Sequence, residues 1–179
     1  MALVAVSSTL ISLNVYASSN APDVIVYPEL NEESKGILNL VIRNIGKSPA
    51  KNITFQFDSA IPQRAFGLEN PPMPEAMDDG PLINGIPYMA PGAYRSFMWG
   101  QYGGLAKWFE KNAINVKVNY ERTNSILFKP RRLSNLCTLD IYSFSTTDIS
   151  DNSHGKKIAD EVVKLNRNID RLIRQLNED

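Results

Sequence analysis

Between Asp23 and Ser143 apolar residues return at every second position, and a chain with that period is built of strands. The clearest case is Ile114–Tyr120, where Ile114, Val116, Val118 and Tyr120 alternate with Asn115, Lys117 and Asn119. Such a strand buries one face and wets the other, which is the habit of antiparallel sheets. The same period sets Leu38, Leu40 and Ile42 on one face of Ile37–Arg43, and turns Ile53, Phe55 and Phe57 inward from Thr54 and Gln56. Asp23–Tyr27 reads as a short strand stopped by Pro28, and Tyr94–Trp99 follows a Pro91-Gly92 turn. Ile126–Phe128 is brief, and Cys137–Ser143 faces Cys137, Leu139 and Ile141 inward with Asp140 outward. About seven short strands separated by turns predict a mainly β fold, an antiparallel β-sandwich. No helical period interrupts them beyond a turn at Leu105–Lys111, which excludes a parallel α/β sheet.

Composition removes several functions. The 179 residues are 43% hydrophobic and 21% charged, which excludes wholesale disorder and collagen. Nineteen Lys and Arg balance nineteen Asp and Glu, so nucleic-acid binding by bulk charge is not expected. A single cysteine, Cys137, forms no intrachain disulfide, and a single histidine, His154, leaves little for metal or acid–base chemistry. The charges are unevenly placed, however. Residues 95–134 carry eight basic side chains against Glu110 and Glu121, a net of +6, which reads as solvated strand faces or as a basic face for an anionic partner.

Met1–Ala17 carries no charge, and Val15-Tyr16-Ala17 suits a signal cleavage site, but no basic residue precedes the apolar run. The segment therefore reads either as a signal or membrane anchor, or as a first strand pair in which Ala2, Val4 and Val6 alternate. Export or membrane association is the expected location, with a cytoplasmic one as the alternative. No other run of 18 apolar residues marks a multi-pass membrane protein.

Leu40–Phe57, LVIRNIGKSPAKNITFQF, resembles the strand–turn–strand core of bacterial immunoglobulin-like modules of the cell-adhesion-related (CARDB) type. Asn44, Gly46, Ala50 and Ile53 match that pattern, and Met89-Ala90-Pro91-Gly92 is similar to its later Pro-Gly turn, so the resemblance covers about residues 38–57 and 89–99. Asn44 and Gly46 are expected at φ > 0, with Pro49 ending the strand. The resemblance implies an Ig-like scaffold for binding or spacing and brings no catalytic residues. The chain departs from it in a proline-rich insertion, residues 58–88, where Asn70–Pro74 favours polyproline II and Asp78–Pro81 a turn. Presented to a partner, this loop would offer Met73 and Met77. Asp78 and Asp79 lack the spaced carboxylates of a calcium loop.

No catalytic constellation emerges. His154 lies in a polar linker, Ser150–Gly155, and Cys137 alternates with inward residues as a buried, inert thiol. Gly100, Gly103 and Gly104 lack the lysine of a phosphate loop. Trp99, Tyr102 and Trp108 fall in an aromatic-rich stretch that reads first as packing between sheets, and otherwise as a surface that stacks on a sugar ring. Asn52-Ile53-Thr54 is a glycosylation sequon that overlaps a strand.

The period changes at Lys156. Ile158, Val162, Leu165, Ile169, Leu172 and Leu176 follow alternating spacings of four and three, a heptad seam with Val162, Ile169 and Leu176 at a, and Ile158, Leu165 and Leu172 at d. Val163 and Ile173 widen the stripe, so the helix suits either a parallel homodimer or packing on its own sandwich. The expected organisation is residues 1–22 as the apolar segment, 23–149 as the sandwich, 150–155 as linker and 156–179 as helix. The expected function is a non-enzymatic interaction module, without cofactor or metal, that self-associates or docks a protein partner through that helix. The alternatives are a structural subunit that uses residues 1–17 as a strand, and a carbohydrate-binding module.

Overall fold

The computed structural model describes residues 11–12, 15–16, 19–34, 36–67, 72–110, 112–122, 131–145 and 161–167. The described residues form seven strands: β1 (Val24–Leu30), β2 (Ile37–Asn44), β3 (Ala50–Phe57), β4 (Ile86–Met89), β5 (Tyr94–Gln101), β6 (Ile114–Arg122) and β7 (Arg132–Leu139). They make two antiparallel sheets, in the orders β1-β2-β5 and β4-β3-β6-β7. Alternation decides which faces meet. Val24, Val26, Leu38, Leu40 and Ile42 of the first sheet share one core with Ile53, Val116, Val118 and Tyr120 of the second. Phe55 and Phe57 are inward but only half-buried, while Thr54 and Lys117 are exposed. The molecule is therefore a β-sandwich.

Several expected boundaries move, each for a local reason. Pro28 does not stop β1, because β1 lies at the sheet edge, where a missing N–H leaves no ladder bond unmade. The last expected strand ends at Leu139, since the Asp140 side chain accepts from the Tyr142 N–H at 2.8 Å and bends the chain into a 3₁₀ turn, Tyr142–Phe144; Ile141 is buried all the same. Ile11, Ser12, Val15 and Tyr16 are helical and exposed, so the strand expected over residues 1–17 does not form at these positions. The Asn20 N–H donates to the Tyr16 carbonyl, a bond that spans one helical turn. The strand expected at Ile126–Phe128, the linker, and the helix outside residues 161–167 lie beyond the described residues.

The insertion is part of the core and not a plain loop. Pro62 bridges Ala76, the Met77 N–H donates to the Ile61 carbonyl, and Ile61, Ala65 and Leu82 are buried. It carries one helical turn, α1 (Pro81–Asn84), with proline at the first position, and then β4. The expected turn at Leu105–Lys111 is in fact a helix, α2 (Tyr102–Phe109). Gly103 and Gly104 are poor helix formers, yet a Cβ on Gly104 or Gly100 would overlap the Ala65 carbonyl. The helix tolerates glycine there because the insertion must come close.

Asn44 is the one fully buried polar side chain among the described residues. Its Oδ1 accepts from the N–H of Asp23 and of Gly46, each at 3.1 Å. Its Nδ2 donates to the carbonyls of Ser48 at 2.9 Å and of Met89 and Ala90 at 3.2 Å. Neither Asn44 nor Gly46 has the positive φ expected of them. Gly46 is required instead by proximity, since a Cβ there would overlap the backbone of Ala21, Pro22 and Asp23. Replacing Asn44 by Ala strands two donors and three acceptors in the interior, and even a partial loss at the usual cost of an unsatisfied group amounts to about 3 kcal/mol or more. We expect Asn44→Ala to lower the chemical denaturation midpoint markedly, and exposed Thr54→Ala to shift stability by less than about 0.5 kcal/mol.

Candidate functional site

The aromatic residues singled out in the sequence do not form a surface. Trp99 is 0% exposed, donates its indole N–H to the Pro62 carbonyl at 2.9 Å, and meets Phe109 edge-on with ring centroids 5.5 Å apart. Trp108 is half-buried and donates to the Ala60 carbonyl at 3.0 Å. Both indoles therefore spend their polar atom fastening the insertion to β5 and α2, and the Trp99 ring, clamped in the interior, cannot stack on a ligand. Tyr102 packs edge-on against Tyr142, whose hydroxyl donates to the Ala106 carbonyl at 3.2 Å. Met77 packs against the core, while Met73 is exposed. These five residues make no common site.

The basic residues of the +6 stretch are dispersed as well. Arg95 lies on β5, Lys107 on α2, and Lys117 and Arg132 on the outer face of the second sheet.

The two sheets are joined at β1 and β7. The Asn135 side chain donates to the Val24 carbonyl at 3.1 Å and to the Asp23 carboxylate, and the Val26 N–H donates to the Cys137 sulfur at 3.4 Å. Burial raises the Cys137 thiol above its ordinary pKa, and the nearby Asp23 charge adds to the shift. Tyr120 is raised in the same way, by burial first and by Asp23 second. A thiol held protonated is a poor nucleophile and a poor metal ligand. Among the described residues no group of three or more His, Cys, Asp or Glu is placed to hold a metal ion. No described helix is long and apolar enough to cross a membrane.

The outer face of the first sheet carries the arrangement that the sequence reading overlooked. Register sets Tyr27, Val41 and Ser96 in one row across β1, β2 and β5. Arg43 and Tyr94 pair in the row on one side of it, and Glu29 and Asn39 in the row on the other. Together they line a groove of about 380 Å³. Val41 forms its floor at 1% exposure, although it stands on the face opposite to Leu40 and Ile42. Asn39 accepts from Asn31 Nδ2 at 3.3 Å. The signal was present in the sequence, because Tyr27 and Val41 put apolar bulk on faces that alternation assigns to water.

Two antiparallel sheets in this order around one core define a β-sandwich protein whose insertion is built into the core. The chain belongs to the family described as Domain of unknown function (DUF8453), whose family model matches residues 1–145. No curated protein and no solved structure matches it.

The thiol environment makes a direct test. Raised pKa means less thiolate at a given pH, so native Cys137 should react with an aromatic disulfide reagent at pH 8 far more slowly than in denaturant. A native rate equal to the denatured rate would contradict the half-buried, hydrogen-bonded thiol.

Proposed function

We propose that this chain is a non-enzymatic interaction module, an Ig-like sandwich that self-associates through its C-terminal helix. The observation that carries the reading is the state of residues 161–167, which are helical with Val162, Val163 and Leu165 exposed at 50%, 47% and 58%. A short helix is marginal in water unless its apolar stripe is covered, and among the described residues these three side chains stay about half exposed. Val162 and Leu165 belong to the heptad seam that runs from Ile158 to Leu176 in the sequence, and Val163 widens its stripe. A second copy of the same seam supplies a matching surface, and a two-fold dimer is the simplest closed arrangement. The family match ends at residue 145, which leaves this helix as an appendage of the family's domain. The strand orders β1-β2-β5 and β4-β3-β6-β7 support the Ig-like reading, since Ig-type sandwiches set the first, second and fifth strands against a sheet built on the third, sixth and seventh.

The test is sedimentation of the full chain across the micromolar range. The parent protein should sediment as a dimer, and Leu165→Asp, which sets two carboxylates in one apolar layer, as a folded monomer with reduced helical and unchanged strand signal. A monomeric parent would overturn the reading.

A further inference from the structure

We propose that the groove on the outer face of the first sheet binds an uncharged saccharide. Its shape and its chemistry both bear on this. Val41 gives a small apolar floor, and Tyr94, 59% exposed, stands at one edge with Tyr27 at the other. Tyrosine rings offer flat apolar faces with a polar tip, which suits the C–H faces and hydroxyls of a sugar ring. Around them the hydroxyls of Tyr27, Tyr94 and Ser96, the Glu29 carboxylate and the Arg43 guanidinium make no side-chain hydrogen bond among the described residues, and Asn39 spends only its oxygen. The hydrogen-bonding capacity of six side chains over one groove is thus left for water or a ligand.

The signs of these groups select the ligand. A cationic side chain only donates, so it would satisfy Glu29 and face Arg43 unfavourably. An anion would satisfy Arg43 and meet Glu29. Hydroxyl groups donate and accept at once, and so use both ends of the groove. Glu29 stands opposite Asn39, and Arg43 lies four residues further along β2, about 13 Å away at the usual strand rise. That length suits an oligosaccharide lying along β2 on the sheet's outer face. The outer face of the second sheet offers a groove of about 490 Å³ but lacks this character. Its Glu121 is already engaged by Arg132 at 3.6 Å and by Asn52 at 2.9 Å, and its one tyrosine, Tyr120, is buried.

The groove lies on the sandwich and the seam on the helix, so the two proposals fail separately. The experiment is affinity electrophoresis of the full chain in gels holding β-glucan, galactomannan, xylan or dextran, with calorimetric titration of chitohexaose. At least one of these should retard or titrate the parent protein. Tyr94→Ala and Asn39→Ala, each checked for an unchanged melting transition, should weaken that binding by about tenfold or more, the worth of one stacked ring or hydrogen-bonded group. Thr54→Ala on the other sheet should leave it unchanged, as should Leu165→Asp. Three results would overturn the proposal: no interaction with any of the five saccharides, binding that both groove variants leave intact, or retention of an oligolysine peptide in their place that Glu29→Gln abolishes.

Discussion

The Asn44 carboxamide joins segments that the chain separates widely, and the sandwich depends on it. One side chain satisfies the entry to β1, the turn after β2 and the end of β4, with partners up to 46 positions away. The backbone of Asn44 adds to this, donating to the Ala93 carbonyl and accepting from the Gly92 N–H. A buried amide with all its partners in place costs little, whereas any shift of one segment leaves a donor or acceptor dry. The group therefore fixes how the two sheets meet at this end of the molecule. Gly46 belongs to the same device, because only a residue without a Cβ lets the chain before β1 lie against the turn.

A second clamp acts on the insertion. Ala65 accepts from the Gln101 N–H at 2.8 Å and donates to the Trp99 carbonyl at 3.0 Å, while two indoles bind the carbonyls of Ala60 and Pro62. These bonds also cover the end of β5, which would otherwise present an open edge. The remaining edges are guarded in other ways. β1 carries Pro28 and meets β7 through Asn135 and Cys137, β4 is short and holds Pro87, and β5 bears the charged Arg95. Edge pairing between copies is thereby discouraged.

Much of the second sheet could be read from the sequence. Ile114–Tyr120 alternates as expected, and its inward residues are the ones buried. The groove on the first sheet was less legible. Tyr27, Asn39 and Tyr94 lie 12 and 55 positions apart along the chain, and only the pairing of β1 and β5 with β2 brings them over Val41. The aromatic stretch was legible in its first reading, as packing between the sheets, but its polar partners were not. Trp99 and Trp108 share a segment rich in rings, but the carbonyls that claim their N–H groups lie 37 and 48 positions earlier.

By itself the sequence determined roughly where six of the seven described strands run, which of their faces turn inward, and that a heptad seam follows them. Those are local matters, because the pleat repeats every two residues and the helix every three or four, and each period is written in neighbouring side chains. Only the tertiary structure decided that Asn44 is a buried hub, that the insertion completes the core, and that Pro28 is tolerated. Each of those depends on where a polar group finds its partner or where a strand sits in its sheet. In this protein such partners lie as far as 112 positions away, at a distance that no local period encodes.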